Sequence, residues 1–278
     1  MKKTMICALA LCGLLPVSAK DIVKTKAYVW HGDTISQGEF MATAPNEHEI
    51  VSTYSAQPGF FMPIQKRWTL KNDISSYPRL VTGNRLHTAI YNMGLDEMVN
   101  AVEPDTTLRT GKEWAGVWTR DVSYSILLSM AYLQPEASKV SLMKKVDALG
   151  RIIQDTGSGG AWPVSTDREI WCVAAYEVYK VTGDKKWLKF IYPVVKRSLE
   201  TDSEIVFDGQ TGLTKGETSF IDWREQSHPK WMQCADIFNT ETLSTSIVHA
   251  QAWRVLAAMA EEIGDKKVAH EAQQKASS

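Results

Sequence analysis

The chain has 278 residues, 44% of them apolar and 23% charged, the proportions of a globular protein with room for one large domain or two small ones. A formal net charge of −1 gives no electrostatic footing for nucleic acid or for an acidic membrane surface. Ten Trp is many for this length, and Trp both fills cores and stacks on the flat faces of sugars. The first segment reads MKKTMICALALCGLLPVSA: a basic head at Lys2 and Lys3, an apolar run from Met5 to Val17, and small residues at Ser18 and Ala19. The run is too short to span a bilayer, so residues 1–19 are expected to be a signal peptide and the protein to be exported, periplasmic or secreted. No later segment is long and apolar enough for a membrane span. Loss of the leader leaves Cys172 and Cys234; Cys172 lies in an apolar helical run and is expected as a buried free thiol. The six His are scattered with no metal-ligand spacing, so no metal and no cofactor is expected.

Residues 20–82 mix short β-like pieces, KAYVW and IVSTY, with many turn residues, and read as a lead-in with some strand. From residue 83 the pattern is helical. Residues 86–102 are amphipathic; 122–133 are apolar nearly all round; 138–153 are amphipathic, with Val140, Leu142, Met143, Val146, Leu149, Ile152 and Ile153 on one face. Residues 169–181 are mostly apolar, 185–199 amphipathic with a kink expected at Pro193, and 246–260 mostly apolar. A helix apolar on all sides is buried on all sides, whereas an amphipathic one shows a face to water. The alternation therefore predicts a mainly α fold, a two-layer ring of helical hairpins with 122–133, 169–181 and 246–260 inside. An irregular bundle is the alternative.

Ahead of each inner helix stands a loop with Trp and opposite charges: EWAGVWTRD at 113–121, GSGGAWPVSTDRE at 157–169 and FIDWREQSHPKW at 220–231. Asp121, Asp167 and Asp222 are 46 and 55 residues apart, close to one hairpin per interval. Parallel inner helices would bring these loops to one end, where Trp118, Arg120, Asp121, Trp162, Asp167, Arg168, Trp223 and Arg224 would line a carbohydrate site. Carboxylates accept from sugar hydroxyls, Arg donates in a fixed fork, and Trp supplies a stacking wall. The structural alternative is that Asp121 and Asp167 merely cap the helices that follow them. Cleaving a glycosidic bond takes two carboxyls, and Asp222 or Glu225 is the candidate general acid.

The stretch VWTRD closely resembles the Trp-Thr-Arg-Asp signature of glucoamylases and their six-hairpin, (α/α)6-toroid relatives, among them processing α-glucosidase and glycogen-debranching-like enzymes. The resemblance implies that Arg120 and Asp121 hold the hydroxyls of the sugar at the cleavage site. The later ETSFIDWREQ resembles the loop that carries the general acid in that clan, although Asp222-Trp223-Arg224-Glu225 matches neither of its usual forms in full. The likeness covers about residues 83–262 and implies an exo-acting, inverting glycoside hydrolase. The catalytic base comes from later hairpins in the clan, so residues 83–278 are expected to be the first half of a toroid, a partial (α/α)6 arrangement. A carbohydrate-binding protein without turnover and a polysaccharide lyase are the rival functions; the acidic loops argue against the lyase.

Overall fold

The structure, a computed structural model, describes residues 21–54, 66–155, 167–216 and 229–277. Contacts divide the chain into two units, one ending at Val99 and one beginning at Asn100.

The first unit is built on a six-stranded antiparallel sheet in which each strand pairs with the next: β1 (Asp21–Lys24), β2 (Val29–His31), β3 (Thr34–Gln37), β4 (Phe40–Asn46), β5 (Glu49–Ser52) and β6 (Lys66–Thr69). Two of its hairpins close through two-residue turns, His31 facing Thr34 and Gln37 facing Phe40. The first turn residue is Gly32 (φ 54°) in one and Gly38 (φ 57°) in the other, a backbone region that glycine enters without steric cost. One sheet face packs on α1 (Arg85–Asn100): Ala44 and Ile50 meet Leu86 and Ala89, flanked by Trp30, Ile35, Trp68 and Met93. The helix start is tied to the sheet, because Asp33 accepts from the Arg85 amide and from its Nε, each at 2.7 Å. Asn84 completes the cap by accepting from the His87 amide at 2.9 Å.

The expectation of a mainly α toroid is therefore wrong: the chain is a mixed α/β protein. The segment read as a lead-in is a complete sheet with its own core. Its strands are three to seven residues long and half polar, so the alternation on each is too brief to stand out.

The second unit is helical. Its centre is α5 (Asp167–Thr182), which packs against α2 (Thr119–Ser125), α4 (Pro135–Lys144), α6 (Lys185–Ile205) and α8 (Leu243–Ile263). Trp171, Cys172, Ala174, Ala175 and Val178 are wholly buried, as its all-round apolarity requires. Helix α6 runs through Pro193, with Asp184 capping its start at the amides of Lys186 and Trp187. The hairpin of β7 (Phe207–Asp208) and β8 (Leu213–Thr214) and the short α7 (Cys234–Phe238) precede α8. Gly264, at φ 86°, ends α8, and Asp265 then caps α9 (Lys266–Lys275).

Two helical expectations need correction. The predicted helix 138–153 stops at Lys144, because Asp147 accepts from the amides of Leu149 and Arg151 and Gly150 takes φ 73°, folding 146–152 into a tight turn closed by a bridge between Val146 and Ile152. The predicted inner helix 122–133 is not buried all round. It is α2, then a π-helical turn over Ile126–Met130, then α3 (Ala131–Leu133), and Leu128 and Tyr132 are exposed. The π turn adds a residue to one turn and rotates the apolar stripe off its 3.6-residue course. Helix α8 likewise shows Leu243 and Ile247 to solvent near its start. No helix among the described residues is long and apolar enough to cross a membrane.

Candidate functional site at the start of α2

Residues 101–118 form a folded approach to α2. Bridges join Val102 to Leu108 and Gly111 to Trp114, and Arg109 donates to the carbonyls of Gly111 (3.0 Å) and Lys112 (2.9 Å). Thr110 ties the last step down: its amide and hydroxyl donate to the Gly116 carbonyl, and its Oγ1 accepts from the Trp118 amide at 3.2 Å. Trp118 is thereby held extended in the capping position of α2, with 39% of its surface open. Trp114, on the same loop, is 57% open.

The helix is not capped by its own residues. Trp118 makes no side-chain cap, and the Thr119 amide donates to Asp155, thirty-six positions along the chain. Lys145 Nζ neutralises the other oxygen of Asp155 at 2.7 Å, and Thr119 Oγ1 donates to the Ile153 carbonyl at 2.9 Å. Asp121 sits exposed in the first turn of α2, and among the described residues no side chain or amide hydrogen-bonds to its carboxylate. Helix geometry puts an acid at this position in favourable alignment with the peptide dipoles, a minor gain of about 0.3–1 kcal/mol. Its oxygens stay open to a guest. Arg120 beside it is half-buried.

The start of α5 meets the same short segment. Arg168 is buried in its first turn, donating Nε to the Ile152 carbonyl at 3.0 Å and pairing through Nη1 with the buried Asp202 of α6. Burial pushes the Asp202 carboxyl up and the Arg168 guanidinium pulls it back. Arg168 is thus a structural cation in this geometry, its fork turned to the protein. Asp167 opens α5. The structure therefore brings the beginnings of α2 and α5, and with them Trp118, Arg120, Asp121 and Arg168, around residues 152–155. At the start of α8, Ser246 Oγ accepts from the Thr214 amide at 3.0 Å. Trp162, Asp222, Trp223, Arg224 and Glu225 lie outside the described residues.

Three residues of this region were not singled out by the sequence. Asp155 and Asp202 act through partners far along the chain, and no local pattern marks them. Gln154, next to Asp155, is buried, and neither its Nε2 nor its Oε1 has a hydrogen-bond partner among the described residues. Among the described residues, no group of three or more His, Cys, Asp or Glu is placed to hold a metal ion. No protein-family model matches the chain, and no curated protein matches it.

Proposed function

We propose that the chain is an exported carbohydrate-active protein, a glycoside hydrolase. In this reading Trp118 stacks on the sugar at the cleavage site, Arg120 and Asp121 hold its hydroxyls, and Asp222 or Glu225 supplies the general acid. The observation that carries it is the division of labour at α2. Asp155 does the capping that Asp121 would otherwise do, and among the described residues the Asp121 carboxylate is exposed and unshared, beside an open tryptophan. A carboxylate acceptor next to an indole face is the pairing that a pyranose takes, hydroxyls to the acid and C–H face to the ring. The likeness of VWTRD to the glucoamylase signature supports the same roles and an exo-acting, inverting reaction.

Asp121→Asn tests it. The change keeps shape and removes the charged acceptor. In a form of the protein that carries its catalytic base, on a panel of α- and β-linked oligosaccharides, it is expected to lower kcat/KM at least tenfold, about 1.4 kcal/mol of transition-state binding, with Tm unchanged. Asp121-dependent sugar binding without turnover by the wild-type chain would make the protein a carbohydrate binder instead. A large drop in Tm with unaltered activity would return Asp121 to the helix-capping role.

A further inference from the structure

A cavity of about 370 Å3 lies within the first unit, between the β4–β5 turn, residues 70–80 and α1. Its walls are pinned. Buried Asp96 accepts from Trp68 Nε1 (3.0 Å), from the amides of Lys71 and Asn72, and from Asn72 Nδ2 (2.7 Å), which fixes one end of the 70–80 segment. Tyr91 Oη donates to the Pro78 carbonyl at 2.7 Å and fixes the other end. The turn is held by Asn92 Nδ2 donating to the Glu47 carbonyl (2.9 Å) and the Leu70 amide donating to the His48 carbonyl (3.0 Å). A space framed this way persists without a guest.

The charges around it are left apart. Glu47, His48, Asp73 and Arg79 all face the cavity, yet among the described residues no ion pair joins any of them and the Glu47, His48 and Arg79 side chains have no hydrogen-bond partner. Asp73 is kept ionised by the hydroxyl and amide of Ser75, which lower its pKa. Ile74, Leu80 and Leu95 add apolar surface between these groups. A simple anion would meet two carboxylates for one guanidinium, and a simple cation would have Arg79 against it and leave the apolar patches bare. The complement of dispersed donors and acceptors with apolar patches between them is a neutral ring carrying several hydroxyls, each able to donate to a carboxylate and accept from a guanidinium. The volume suits one hexose with a few waters.

We infer that the cavity framed by Glu47, Asp73 and Arg79 is a monosaccharide-binding site, separate from the 117–121 region and independent of its assignment. Calorimetric titration of the full chain with glucose, galactose and mannose, with glycine and inorganic phosphate as controls, tests it. At least one hexose is expected to bind with millimolar affinity. Arg79→Ala and Glu47→Gln, both at exposed positions, should each weaken that binding at least tenfold, about 1.4 kcal/mol, without moving Tm. Lys267→Ala, an exposed change on α9, should leave it unchanged. Hexose binding that survives Arg79→Ala and is lost with Asp121→Asn belongs to the start of α2 and overturns the inference, while sustaining the proposed function. Absence of heat with every hexose, or tighter binding of glycine or phosphate, overturns it as well.

Discussion

Gln154, unpartnered among the described residues, carries a free-energy cost that a leucine or methionine would not. A buried amide with neither end hydrogen-bonded forfeits about 1–3 kcal/mol of hydration, and replacement by an apolar group of similar shape removes the cost. Gln154→Met is therefore expected to stabilise the second unit by about 1–2 kcal/mol in urea unfolding. If the amide is kept for a ligand at the neighbouring α2 start, the same variant should lose sugar affinity while gaining stability. A destabilised variant would show that Gln154 has a packing role the amide alone fills. The contrast with Asp155 is instructive, because that side chain has every oxygen engaged, one by the Thr119 amide and one by Lys145. Adjacent residues thus have opposite polar balance, and only the unsatisfied one is a place where function and stability can pull apart.

The segment from Thr119 to Leu133 holds a prediction that belongs to the element rather than to any side chain. Its π-helical turn at Ile126–Met130 contains one residue more than α geometry needs, and Leu128 in that turn is exposed. Deleting Leu128 should convert the turn to α-helix without disturbing α2 or α3, at a cost of about 1–2 kcal/mol. Deleting Ala174 from α5 would rotate half of a largely buried helix by about 100° and should abolish folding. Circular dichroism and cooperative melting of both deletions check the contrast; a ΔLeu128 chain that fails to fold would show that the π turn is required. Helices are readable where their apolar period is long: α1, α5 and α8 fall within three residues of the expected spans, and α6 starts where expected but runs six residues farther. The end of α4 was not, since Val146, Leu149, Ile152 and Ile153 continue a helical period that the Asp147 and Gly150 turn overrides. The sheet was half legible. Gly32 and Gly38 stand where two-residue hairpins need them, but strands as short as Val29–His31 give too few positions for alternation to declare itself. At the α2 start, Trp118, Arg120 and Asp121 could be picked from one contiguous stretch. Asp155 and Asp202, which act on Thr119 and Arg168 across more than thirty residues, could not, and neither could Lys145, which reaches Asp155 ten residues on.

Across the whole molecule, acid should act first through a histidine. His249 is buried in α8, stacked on Phe207 at 6.1 Å, and its Nε2 accepts from Trp253 Nε1 at 3.2 Å. Burial, with Lys275 nearby, lowers its pKa from 6.5 to about 4. The folded state therefore holds it neutral where the unfolded chain would protonate it. The unfolded state binds more protons between these values, so stability is full above 6.5 and falls as pH drops toward 4. Between pH 7 and pH 5 this group alone should cost about 2 kcal/mol, and His249→Gln should flatten that part of the profile in urea unfolding. An unchanged slope in the variant would assign the acid sensitivity elsewhere. Cys172 offers a way to watch such losses. It lies at the middle of the packed helices, wholly buried, with burial raising its thiol pKa well above the ordinary value. A thiol that cannot ionise or be reached while α5 is in place reacts only when the helices around it part. In a chain with Cys234 replaced by Ser, the slow labelling of Cys172 should track the same pH profile as urea unfolding, slowing wherever the fold is stronger; labelling indifferent to pH stability would mean that α5 opens locally. The molecule carries its own stopwatch, set in the one place where a count begins only once the core has come apart.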